Sequence, residues 1–198
     1  MAARRNDENF REAVLEAASK LIADRGYHAV RVADIARACG TSTGTVHYYF
    51  AGKGDVLTEA LRYSVERAFE RQSAELGAID DARERLLHLF EMQLPDDEPV
   101  RREWSIWLQF WAEAVVRPEL RDAHDELYSR WRDAVLRIVR RGQREGVFRS
   151  IDPDVVTRHL TALTDGAAMQ AMIGVDAAGV DHMRRLLVEY VDQQLVVA

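Results

Sequence analysis

Residues 39–56 read CGTSTGTVHYYFAGKGDV, and what this stretch is decides what the rest of the chain must be. Its glycines and Lys53 suggest a phosphate-cradling loop; its rings at His47, Tyr48 and Tyr49 suggest a packed aromatic segment. A phosphate loop needs Gly, four residues, then Gly-Lys-Ser/Thr behind a buried strand. Here His47 stands where the first Gly should be, Gly54 follows Lys53, and the preceding segment has helical periodicity. The all-core reading fails too, because Val46 and Phe50 share one helical face while Thr45, His47 and Tyr48 point elsewhere.

A third organisation fits. Val32, Ile35, Ala36 and Cys39 lie on one face of a short helix that Gly40 ends. A second short helix starts near Ser42 or Thr43, whose hydroxyls can accept the orphan N–H groups of its first turn. Helix, tight turn and helix make a helix-turn-helix, whose second helix lies in the major groove of DNA. Seven residues span about 10 Å, against a groove about 12 Å wide. The stretch thus divides into a turn (Cys39 to Ser42), a reading helix (Thr43 to Phe50) and a phosphate anchor, Lys53. Thr43 and Thr45 can bond phosphates or meet a thymine methyl, His47 can approach a base edge, and Tyr48 and Tyr49 can donate to phosphates. Lys53 adds a cation where a helix N-terminus already favours an anion.

Working outward, helical periodicity continues on both sides. Val14, Leu15, Ala18, Leu21 and Ile22 mark a first helix from about Glu8 to Arg25, with Asn6 or Asp7 as cap and Gly26 as stop. After AGKGD the apolar face resumes at Val56, Leu57, Ala60 and Leu61, with Asp55 as cap or first-turn acid. Breaks fall at Gly77, at Pro95 to Pro99, at Pro118, at EGVFRSIDP with Asp152 as cap, and at IGVDAAG. The expectation is an all-α chain of about nine helices.

Composition agrees with a soluble globular chain. Its 198 residues are 30% charged and 47% hydrophobic, with no apolar run approaching the ~18 residues of a membrane span. The N-terminus lacks the apolar stretch of a secretory signal, so the expected location is cytoplasmic. A single cysteine, Cys39, excludes an internal disulfide and multi-cysteine zinc patterns, and no metal or cofactor is expected. Net charge is −6, yet residues 1–56 hold eight Lys/Arg against seven Asp/Glu while the remainder holds 19 against 26. Only the first part suits a polyanion. HExxH is absent, no strand-turn-helix with G-x-S-x-G frames a nucleophile, and HDEL at 124–127 is interior, so an enzyme is not expected.

In the second half, Trp104, Trp107 and Trp111 fall on one helical stripe, with Ile106, Phe110 and Glu113 on a neighbouring one. Two readings stay open: the rings are packed core, or they line a cavity facing a cation such as choline or a polyamine, with Glu113 as counter-charge. Glu113 has a plainer alternative, an ion pair with an Arg of a neighbouring helix. Leu160, Leu163, Ala167, Met169 and Met172, beside Gly166, offer a dimer face on the C-terminal helix pair, 152–173 and 180–195.

Residues 26–61, GYHAVRVADIARACGTSTGTVHYYFAGKGDVLTEAL, resemble the DNA-binding segment of the TetR family of bacterial transcriptional regulators. They follow its recurrent order G-Y…I-A…A-G-V-S-x-G-T-x-Y-x-Y-F…K…L-L almost throughout. The resemblance implies a three-helix DNA-binding domain, residues 1–54, and a helical ligand-binding and dimerisation domain, residues 55–198. It also implies a homodimeric repressor released from a pseudo-palindromic operator by a small-molecule inducer. Thr43, Thr45, His47, Tyr48, Tyr49 and Lys53 occupy positions that commonly touch DNA in that family. Arg31 departs from the pattern, standing where a capping Ser or Thr is usual; the helix cap is lost there and a longer phosphate-reaching side chain gained. The order VHYY departs as well, so the operator sequence does not carry over. REWSIWLQFWAEAVVRPELR and LTALTDGAAMQAMI are similar to the choline-responsive BetI-like branch. The rival reading is a helical ligand-binding or protein-interaction module without specific DNA binding.

Overall fold

Apolar residues at helical spacing, punctuated by glycine, proline and capping acids, produce helices along the whole chain. The computed structural model describes residues 2–174 and 179–197, with side chains from Asp7 onward. Among these residues nine α-helices occur: α1 (Ala2–Arg25), α2 (Val32–Ala38), α3 (Thr43–Tyr49), α4 (Lys53–Leu76), α5 (Ala82–Glu91), α6 (Glu98–Val116), α7 (Arg121–Arg144), α8 (Pro153–Ile173) and α9 (Gly179–Tyr190). A 3₁₀ turn, Pro118–Leu120, precedes α7, and a π turn, Val191–Leu195, extends α9. The break expected at IGVDAAG lies in part outside the described residues. No helix among the described residues is long and apolar enough to cross a membrane.

Most boundaries follow local chemistry. Asp81 caps α5 through the Glu84 N–H, and Asp152 caps α8 by accepting from Asp154 and Val155, with Pro153 at the first helical position. Gly40 closes α2 with φ 63, a left-handed conformation that a residue with a Cβ rarely adopts. One expectation is corrected. Helix α1 begins at Ala2 and runs through Asn6 and Asp7, so neither caps it; Asp7 instead accepts a hydrogen bond from the Tyr49 hydroxyl. Asp55 is a first-turn acid of α4, as expected, and accepts from the Ala51 N–H at 2.9 Å.

The helices assemble into two compact units, residues 1–68 with 105–124 and residues 69–104 with 125–198. In the first, Val14, Ala18 and Ile22 of α1, Ile35 and Ala36 of α2, and Val46 and Phe50 are buried. The start of α4 and the second half of α6 add Leu57, Leu61, Ile106 and Phe110. In the second, α8 packs on α9 and α5 lies against α9. Leu86, Leu89 and Phe90, Val135 and Val139, Leu160, and Met183 and Leu187 make up its core.

The chain end is pinned to the loop after α7: Arg149 N–H donates to Leu195 O at 2.8 Å and Val197 N–H to Val147 O at 3.0 Å. Phe148, in this loop, is buried against Gly142, whose carbonyl accepts from the Val147 and Phe148 N–H groups at 2.9 and 3.0 Å. A Cβ on residue 142 would lie 2.1 Å from the Phe148 ring. Gly142→Ala therefore sets a gain of about 1 kcal/mol in helix propensity against overpacking of about 1–3 kcal/mol. The expected outcome is a net loss, read as a lower thermal midpoint with early release of the C-terminal segment in hydrogen exchange.

Candidate nucleic-acid interface and its support

The reading helix is built locally and held from behind. Ser42 caps α3, accepting from the Thr45 N–H at 3.1 Å, and its Oγ lies 2.9 Å from Thr45 Oγ1. Thr45 is thus half-buried and engaged within its own helix, while Thr43 and His47 are exposed. Tyr48 is 80% exposed, and the four core positions Ile35, Ala36, Val46 and Phe50 are buried. One face of a seven-residue helix packs, and the opposite face is left to solvent.

The three rings separate sharply. Tyr49 is half-buried, packs on Phe10 of α1 with ring centroids 5.3 Å apart, and donates its hydroxyl proton to Asp7. That hydrogen bond to a carboxylate raises the Tyr49 phenol above its ordinary pKa. Expected at a DNA phosphate, this hydroxyl is instead tied to α1. Tyr48 meets the Tyr49 ring edge-on at 5.1 Å and projects outward. Arg31 is the N-cap of α2 and makes no side-chain cap; Asp34 accepts from the Arg31 backbone N–H at 3.0 Å, half of a capping box. The guanidinium of Arg31 stays exposed.

Lys53 lies 4.5 Å above the Tyr27 ring and donates to His28 O at 3.1 Å. Desolvation lowers its pKa, with Glu113 acting in the opposite sense. It is a cation fixed on the turn after α1, at the start of α4. Aromatic stacking and a carbonyl both suit a partly desolvated ammonium.

That turn, Gly26 to His28, is held by side chains of α6. The Gln109 carboxamide accepts from the Tyr27 N–H and donates to Ile22 O at 2.8 Å. Ser105 Oγ donates to Ala23 O at 3.3 Å. Glu113, 4% exposed, places Oε1 2.7 Å from His28 Nε2 and Oε2 3.1 Å from Arg117 Nε. Arg117 Nη1 in turn lies 3.4 Å from the Tyr27 hydroxyl. Glu113 is thus ion-paired, but its arginine stands four residues on along the chain and not on a neighbouring helix, the partner more distant in sequence being His28. Gln109 gave one signal in sequence, a lone amide inside the apolar run WLQFWAE; Phe10 and His28 gave none.

The remaining aromatic positions fall into two groups. Trp104, in the second unit, is buried with Nε1 donating to Gln93 O at 2.8 Å. In the first unit Phe110 is buried, whereas Trp107 and Trp111 are half-buried, their rings tilted 44° with centroids 5.7 Å apart. The His124 ring meets Trp107 edge-on at 6.3 Å.

Removing the Gln109 carboxamide leaves the Tyr27 N–H and Ile22 carbonyl without their α6 partner. Gln109→Ala is expected to cost about 1–3 kcal/mol, the penalty for an unpaired polar group in a partly buried place. Amide exchange at Tyr27 should accelerate in step; an unprotected Tyr27 amide in the unaltered protein would contradict the geometry.

Residues 14–60 match the family described as bacterial regulatory proteins, tetR family, and residues 82–196 match the BetI-type transcriptional repressor C-terminal domain. The chain is 46% identical to a transcriptional regulator from Saccharomonospora viridis solved in complex with choline, covering 97% of this chain and 100% of that one at a TM-score of 0.89. A TetR-family regulator from Rhodococcus sp. is 28% identical over 93% of this chain and 97% of its own, with a TM-score of 0.84. The regulator PksA of Bacillus subtilis is 26% identical, covering 93% of this chain and 89% of its own. BetI of Yersinia pestis is 30% identical over 56% of this chain and 57% of its own. With both halves matched and a reading helix displayed on a packed helix-turn-helix, the chain belongs to the TetR family of bacterial transcriptional regulators, its C-terminal domain being of the BetI type.

Proposed function

We infer that the protein is a repressor that binds a pseudo-palindromic DNA operator as a homodimer and leaves it when a small quaternary ammonium compound, choline first among them, is bound. Residues 1–54 are the part assigned to DNA and residues 55–198 the part assigned to ligand and dimer contacts. The observation that carries the ligand reading is the 46% identity, over nearly the whole chain, to a regulator in complex with choline. The half-exposed pair Trp107 and Trp111 supports it, since indole faces attract a quaternary ammonium without needing a hydrogen bond. Glu113 is already engaged by His28 and Arg117, so the indoles are the cation-binding groups and Glu113 belongs to the support of the turn.

The dimer reading rests on α8. Val155, His159, Ala162, Gly166, Met169 and Ile173 alternate at four- and three-residue spacing, the seam of a helix that packs against another helix. All six are exposed or half-exposed, Ile173 by 66%. Leu160 and Ala167, expected on that face, are turned inward and buried in the protomer's own core. Ala162 and Gly166 leave room for a two-fold related copy to approach closely.

Fragments selected from random DNA should share a pseudo-palindrome, bound with an affinity that falls steeply with salt. His47→Ala should weaken binding by about 1–3 kcal/mol and relax preference at one base position per half-site. Paired Met169→Glu and Ile173→Glu should yield a folded monomer by light scattering that has lost the palindrome. Selection of no common sequence would refute the regulator reading.

Choline should change the tryptophan fluorescence saturably, and the double variant Trp107→Leu, Trp111→Leu should remove the response while single Phe replacements keep part of it. A flat titration with choline and tetramethylammonium would sink the ligand assignment and leave the DNA reading standing.

A further inference from the structure

The second half of α7 concentrates positive charge in a chain whose net charge is −6: residues 130–149 hold seven arginines and two acidic residues. Between this stretch and the C-terminal half of α4 lies a cavity of about 480 Å³, within the range of about 300–1,000 Å³ typical of small-molecule sites. Phe69, Leu76, Ala134 and Ile138 form its apolar wall.

Five arginines line the same cavity, and they differ in what they hold. Arg85 donates to Ile79 O at 2.7 Å, Arg140 to Asp154 at 3.1 Å, and Arg141 to Glu145 at 2.6 Å and Asp80 O at 2.7 Å. Arg137 and Arg144 are exposed and have no ion-pair or hydrogen-bond partner for their guanidinium groups among the described residues. Spaced i and i+7, they share one face of α7. Gln72 also lines the cavity; it is 4% exposed, and its carboxamide has no hydrogen-bond partner among the described residues. The helix macrodipole favours cations in the last turn, which accounts for Arg141 and Arg144. It does not account for Arg137, further inside the helix.

We propose that this groove binds a small amphipathic anion, an apolar body carrying a carboxylate or phosphate, at a site separate from the indole pair. Arg137 and Arg144 take the acidic oxygens, for which the planar guanidinium is suited. Gln72 donates its amide N–H, and Phe69, Leu76 and Ile138 cover the apolar body.

The test is calorimetric titration of the full chain with decanoate and decyl phosphate, beside neutral decanol and cationic decyltrimethylammonium. Saturable binding of either anion is expected, weakened about tenfold or more in the double variant Arg137→Gln, Arg144→Gln, with the melting temperature unchanged because both side chains are exposed. Binding should persist in Trp107→Leu, Trp111→Leu, which separates this site from the choline reading. Absence of binding by both anions, equal binding of decanol, or an unaltered affinity in the arginine double variant would overturn the proposal.

Discussion

The turn between α1 and α2 has a backbone N–H with no local acceptor, and the rest of the DNA-binding unit is arranged around how it is satisfied. Gln109 accepts from Tyr27 and donates to Ile22, partners 82 and 87 positions away in sequence. A carboxamide supplies both a donor and an acceptor, so one side chain closes two polar gaps at once. Around it, Glu113, Arg117 and Lys53 converge on Tyr27 and His28. A charge as buried as Glu113 is stable only with close partners, and losing one of them is costly. The second half of α6 therefore belongs physically with the N-terminal helices.

Presentation of α3 follows the same logic of support from behind. Its core residues, Val46 and Phe50, are apolar and buried, and Tyr49 is drawn toward α1 by Phe10 and Asp7. What remains outward is short and specific: Thr43, His47 and Tyr48. A phenol engaged by a carboxylate is a positioned ring, whereas the Tyr48 ring is left to solvent. The helix is thereby a rigid platform, since Ser42 also satisfies its first turn.

Charge is distributed by task. An acidic chain repels nucleic acid over most of its surface, which concentrates encounter on the part where basic and acidic residues nearly balance. Elsewhere arginines act as structural cross-links: Arg184 grips Glu91 from α9, and Arg71 pairs with Glu103 through two hydrogen bonds at 2.8 and 3.1 Å. Arg137 and Arg144 stand apart from these pairs, exposed along the groove beside α4.

Much of the architecture was legible in the sequence because it depends on neighbours. Helical period, the caps Ser42 and Asp152, and the stop at Gly40 are set within a few residues of where they act. The buried set Ile35, Ala36, Val46 and Phe50 followed from the same spacing. Periodicity names the stripes of a helix without saying which one meets a partner, so Leu160 and Ala167 turned inward while Met169 and Ile173 stayed out. The proton of Tyr49, the pairing of Glu113 with His28, the place of Gln109 and the gathering of Gln72 with Arg137 and Arg144 were decided by tertiary structure alone. Each depends on side chains brought together from distant segments, and hydrogen bonds and ion pairs reach only a few ångströms.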